Sequence, residues 1–124
     1  MNIQTLSLET YNWGLKNLDI DIRPVIRGDK IKAFVTWTFK TTQGDLIIKG
    51  FTIRLKELHS GIEVLSCDAP AYRAAGQFRK SFFLDNKDLY KSLCVETVRQ
   101  YCKLTGELEP EYIYFDERDR TLIT

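Results

Sequence analysis

His59 and Cys67 are the only pairing in this chain that could supply a nucleophile and a base, since His59 is the sole histidine. No motif joins them, and a lone histidine in a loop is far more often plain surface. Asp19 and Asp21 alternate along one strand face, as a metal-binding carboxylate pair does, but a polar strand face accounts for them better. Cys67, Cys94 and Cys102 form an odd set without CxxC spacing. With one histidine they cannot complete a tightly spaced four-ligand zinc site, so reduced thiols and no metal are expected. Gly44, Gly50, Gly61 and Gly76 are scattered, so no loop cradles a phosphate. The sequence therefore points away from an enzyme, a cofactor or a small-molecule substrate.

The remaining chemistry is cationic. Lys87, Lys91, Arg99 and Lys103 stand at multiples of four residues, with Val95 in the gap, and form a stripe if the segment is helical. Arg73, Arg79 and Lys80 flank a segment that also holds Tyr72, whose ring can stack on an unpaired base. Cations that reach phosphates, beside groups that read or stack on bases, are what nucleic-acid binding requires. These seven residues are the candidate phosphate contacts, and base readout falls to the 68–76 loop or the helix start. Solvated surface is the competing reading. A second candidate is the outer sheet face, where Lys30, Lys32, Arg54 and Lys56 surround Phe34, a residue suited to stacking or, more readily, to a dimer interface.

Charge placement matters because the whole chain is nearly neutral, with 18 Lys and Arg against 17 Asp and Glu. From Arg23 to Lys56 there are eight basic and two acidic residues; from Ala71 to Lys103 there are seven and three. From Leu104 to Thr124 there are two basic and six acidic residues. At 124 residues and 44% hydrophobic, the chain is long enough for one domain with a real core. The N-terminus has no basic stretch followed by an apolar run, and apolar runs such as Leu46-Ile47-Ile48 reach at most four residues, so a cytoplasmic protein without a membrane span is expected.

The elements that position these residues follow from periodicity. Leu18, Ile20 and Ile22 alternate with Asp19, Asp21 and Arg23, a half-buried strand that ends near Pro24, and Gly28-Asp29 makes a turn. Ile31, Ala33, Val35, Trp37 and Phe39 share one face of the next strand, with Phe34 breaking the polar side. A polar hairpin loop, 41–45, leads into a third strand whose inward residues are Ile47, Phe51, Ile53 and Leu55. A turn at Ser60-Gly61 precedes a short strand from Ile62 to Ser66. Asp68 to Gly76 reads as loop, and Gln77 to Leu84 as a strand with Phe78, Phe82, Phe83 and Leu84 in the core. Asp85 or Asn86 caps an amphipathic helix whose apolar face is Tyr90, Leu93, Cys94, Val98, Tyr101 and Cys102, and Gly106 stops it. Residues 1–17, with Tyr11 and Trp13, read as an arm or edge strand. Residues 107–124 read as an acidic extension in which Tyr112-Ile113-Tyr114-Phe115 fits a last docked strand before a frayed end.

The order of these segments resembles the SpoVG family of small bacterial regulators. It is carried by Asp21-Ile22-Arg23-Pro24, Lys30-Ile31-Lys32-Ala33-Phe34-Val35 and Ile47-Ile48-Lys49-Gly50-Phe51-Thr52-Ile53. It continues through Ser60-Gly61-Ile62-Glu63-Val64, Gly76-Gln77-Phe78-Arg79-Lys80 and the closing helix with Tyr101. The resemblance implies an α+β domain over 18–106, a twisted antiparallel sheet with one packed C-terminal helix. It also implies dimerisation through the sheet, DNA binding with RNA binding in some members, regulation of expression and no catalysis. Where the family has a Met-Pro-Ser-type motif, this chain reads Leu65-Ser66-Cys67-Asp68-Ala69-Pro70, and Lys80 stands at an often acidic position. The rival reading is a protein-interaction module without nucleic-acid binding. There the aromatic ends, Tyr11, Trp13 and 112–115, mediate assembly while the basic stripe pairs with acidic tails.

Overall fold

The computed structural model describes residues 3–7, 17–26, 30–41, 44–82, 84–115 and 119–122, with residues 6–7, 78, 112, 115 and 119–122 described by their backbone. The expected turn at Gly28-Asp29 and the residues Tyr11, Trp13 and Phe83 lie outside them. The architecture is α+β, one helix laid on a mostly antiparallel sheet. Strands β1 (Ile3–Ser7), β2 (Asn17–Pro24), β3 (Ile31–Thr41), β4 (Gly44–Glu57) and β5 (Glu63–Asp68) pair in sequence order, each antiparallel to the next. A separate hairpin, β6 (Ala71–Ala74) and β7 (Gln77–Lys80), follows, then the helix α1 (Lys87–Thr105). β8 (Tyr112–Phe115) then joins β5 in parallel, and β9 (Asp119–Leu122) closes the sheet antiparallel to β8.

Period-two alternation builds the core as expected. Leu18, Ile20 and Ile22 of β2 are buried opposite Phe39, Trp37 and Val35 of β3. Burying each such side chain contributes about 1.5–3 kcal/mol relative to exposure. Leu89, Tyr90, Leu93, Cys94, Val98, Tyr101 and Cys102 of α1 close over this layer. Trp37 is its hub: it stacks on Phe51 with centroids 3.9 Å apart, and its Nε1–H donates to Thr97 Oγ1 at 3.1 Å. Thr97 in turn donates to the Leu93 carbonyl at 2.7 Å, so no buried polar atom of this pair is unmatched.

The helix ends where its chemistry dictates. Asn86 is the N-cap, its Oδ1 accepting from the Leu89 N–H at 3.1 Å, and Asp85 stays outside. Gly106 takes the left-handed conformation, φ 78°, and its N–H donates to the Cys102 carbonyl.

Five expectations need correction. Ile31 does not share the core face of β3, because the register shift at Lys32 sets it opposite the exposed Arg54 while Ala33 stands opposite the buried Ile53. Ile47 does not face the core. It is 54% exposed, and Ile48, opposite Trp37, packs inward instead. The reason is Gly50, an extra residue between the Val35–Phe51 and Thr36–Lys49 pairs, which reverses the alternation of β4. Its φ of 101° and its approach to Pro70, which would stand 3.3 Å from an added Cβ, both call for glycine.

The 68–76 segment is not a loop throughout. Ala75 and Gly76, at φ 52° and 77°, form a two-residue turn of the kind that matches the twist of a hairpin, and β6 pairs with β7 around it. The strand expected over 77–84 stops at Lys80. The Ser81 N–H and Oγ both bond the Pro70 carbonyl, at 2.8 and 3.0 Å, closing the hairpin root. Beyond it Phe82 and Leu84 turn against the core, Phe82 lying edge-on to Phe51.

Finally, the sheet is not wholly antiparallel. α1 carries the chain back across the sheet, so β8 enters from the same end as β5 and must run parallel to it. Segments 1–17 and 107–124 thus both contribute strands to the sheet, β1 at one edge and β8–β9 at the other.

Candidate nucleic-acid interface

The hairpin and helix place the seven candidate cations in three groups. In the β6–β7 ladder Tyr72 stands opposite Arg79, while Ala71 stands opposite Lys80 and Arg73 opposite Phe78. Because side chains alternate across a strand, Tyr72 and Arg79 share one hairpin face, and Arg73 and Lys80 share the other. Lys80 turns toward the helix, its Nζ 4.7 Å from the centre of the Tyr90 ring, a cation–π contact.

The second group is the front of the helix. Lys87 and Lys91 are exposed, and Tyr90 lies three residues from Lys87 and next to Lys91. Lys80, Lys87 and Lys91 therefore gather about the first turns of α1. Among the described residues Arg79, Lys87, Lys91 and Lys103 make no ion pair. Between Ala71 and Lys91 five cations face two carboxylates, Asp85 and Asp88, so this end carries net positive charge.

The third group is different. Arg99 and Lys103 line a groove with Glu96, Gln100, Cys102, Glu107 and Glu109. Arg99 Nε is 3.8 Å from Glu109 Oε1, and Glu107 reaches Lys32 at 3.9 Å. Glu109 thus opposes Arg99, whereas Lys103 makes no ion pair among the described residues and shares only the groove with Glu107, so the charge along the ladder is uneven. The same carboxylates act on neighbouring acids. Burial, with the charges of Glu107 and Glu109, pushes the Cys102 thiol up to about 11. Burial and a hydrogen bond with Glu107 raise Tyr101 as well.

The outer sheet face does not assemble the second candidate. Lys30 pairs with Glu63 and Glu57, at 3.4 and 3.7 Å. Lys32 is looped out of register between the Ile31–Arg54 and Ala33–Ile53 pairs, which frees it to reach Glu107. Lys56 lies over the Tyr114 ring at 5.2 Å. Asp19 accepts from Thr5 Oγ1 at 2.8 Å and pairs with Lys40, while Asp21 pairs with Arg23. No group of three metal-ligating side chains occurs among the described residues.

The weak nucleophile–base pairing does not form. Cys67 is buried in β5, whereas His59 is exposed in the turn before that strand. Four residue steps along the strand lead from Glu63 to Cys67, a run of about 13 Å. The three cysteines are buried thiols and none is in a disulfide. No described helix is long and apolar enough to cross a membrane.

Sequence reasoning missed the Tyr72–Arg79 juxtaposition. The signal was present: Ala75-Gly76 lies midway between Tyr72-Arg73 and Phe78-Arg79, the spacing of a two-residue hairpin. Comparison of the chain with protein-family models, with curated proteins and with solved structures returns no match.

Proposed function

We propose that this protein is a non-enzymatic nucleic-acid-binding regulator of the SpoVG kind, acting as a homodimer in the cytoplasm. It contacts phosphates through Lys80, Lys87 and Lys91, with Arg73 and Arg79 on the adjoining hairpin. The ligand is DNA, or RNA as in some members of that family, and no small molecule is turned over. The observation that carries this reading is Lys80 over the Tyr90 ring, on the same first turns of α1 that expose Lys87 and Lys91, in a chain with almost no net charge. The α+β architecture, an antiparallel β2–β5 meander with one covering helix, supports the resemblance. Arg99 and Lys103 belong to the interface only in part, because Glu109 competes for Arg99.

Fluorescence polarisation with mixed DNA and RNA fragments at two salt concentrations is the test. Counterion release predicts that affinity falls by orders of magnitude from low to physiological salt. Lys91→Glu weakens binding to every sequence alike, because a phosphate contact carries no sequence information. Absence of binding at low salt refutes the reading. Dimerisation is measured by sedimentation equilibrium; a monomer mass at all concentrations removes that part.

A further inference from the structure

The hairpin carries a feature that phosphate contacts alone do not explain. Tyr72 is a large aromatic residue, 51% exposed, and makes no ring contact among the described residues. Its direct cross-strand neighbour is Arg79, also exposed and without an ion pair among the described residues. Directly opposed residues hold their Cβ atoms about 4.5–5.5 Å apart, so ring and guanidinium flank one spot.

The platform is held in place before any ligand arrives. The turn at Ala75-Gly76 fixes the ladder register, Ser81 closes the root on Pro70 with two hydrogen bonds, and Pro70 packs against the Gly50 bulge. Holding an exposed ring beside an exposed cation suits a ligand that is flat, apolar on its faces and anionic at its edge.

We propose that Tyr72 and Arg79 form a stacking site for an unpaired base, so that the ligand class is single-stranded nucleic acid. This rests on the nucleic-acid reading above and narrows it. A duplex offers proteins its base edges and backbone and keeps its base faces stacked, so it cannot use the ring of Tyr72. A single strand exposes those faces, and stacking tolerates any base because each has a π-face. Arg79 takes the adjoining phosphate. Arg73 and Lys80, on the opposite hairpin face, lead toward Lys87 and Lys91 and provide the onward path for the backbone.

The test compares fluorescein-labelled oligothymidylate with a mixed-sequence duplex at one salt concentration, using the full chain. The single strand binds more tightly. Tyr72→Ala weakens single-strand binding about tenfold or more, Tyr72→Phe retains it, and neither changes duplex affinity. Tyr72 is outside the core, and unchanged thermal melts of both variants verify the fold. Equal losses on single strand and duplex, or no loss on either, overturn the stacking site. In those cases a loss of affinity in Lys91→Glu still upholds the broader reading, whereas no binding of either probe at low salt ends both.

Discussion

The Trp37–Thr97 bond shows how much of this fold rests on single atoms. The indole N–H is buried, and Thr97 Oγ1 is its acceptor. Thr97→Val keeps the volume and orphans the donor, an expected loss of about 1–3 kcal/mol. Thr97→Ser keeps the acceptor and loses less. Urea unfolding of the two variants measures the difference, and equal losses exclude the hydrogen bond as the cause. Gly50 is the second such position. An alanine there must hold φ near 101° and press on Pro70, so Gly50→Ala is expected to cost about 1–3 kcal/mol. The effect passes to the hairpin through Pro70, whose carbonyl receives both bonds from Ser81. Hydrogen exchange at the Ser81 amide therefore accelerates in this variant; an unchanged rate breaks the link between bulge and hairpin.

Among the elements, α1 is two surfaces in one helix. Its front presents Lys87 and Lys91 beside Lys80, and its back shares a groove with Glu107 and Glu109. The charge reversals Lys91→Glu and Arg99→Glu should then differ in their effect on nucleic-acid affinity. Lys91→Glu is expected to weaken binding tenfold or more, whereas Arg99→Glu reverses a charge already opposed by Glu109 and weakens it less. Equal losses in a polarisation titration make the whole stripe the interface. The helix was readable because its signals are local: the Asn86 cap, the apolar period and Gly106 all act within one turn. The fate of Arg99 was not, since Glu109 meets it only after the chain has turned back at Gly106.

For the molecule as a whole, the linker between α1 and β8 couples the charge pattern to stability. The raised Cys102 thiol keeps its proton in the folded state to about 11, against an ordinary value of 9.0. Between those values the unfolded chain binds fewer protons, so this group's contribution is complete below pH 9 and is lost as pH rises toward 11. Tyr101, raised from its ordinary 10.0, acts in the same direction. Denaturant midpoints are expected to fall through that alkaline window, and to fall less in Glu107→Gln/Glu109→Gln, where the repelling charges are gone. An identical pH profile in the variant rules out the linker carboxylates. The same variant relieves Arg99 and Lys32 of their partners, so its pH profile and its affinity for nucleic acid report on one contact set.

The amino-acid sequence by itself determined what depends on neighbours along the chain. The β2 face, the β3 face from Ala33 to Phe39, the helix with its cap and stop, and the buried Cys94 and Cys102 follow from periodicity and backbone chemistry acting over a few residues. Tertiary structure decided what depends on chain return. It chose Ile48 over Ile47 through the bulge at Gly50, made β8 parallel to β5, folded Ala71–Lys80 into a hairpin that sets Tyr72 against Arg79, and laid Glu109 on Arg99. Charge acts through space, so which cations stay open to a ligand is settled only when distant segments have packed.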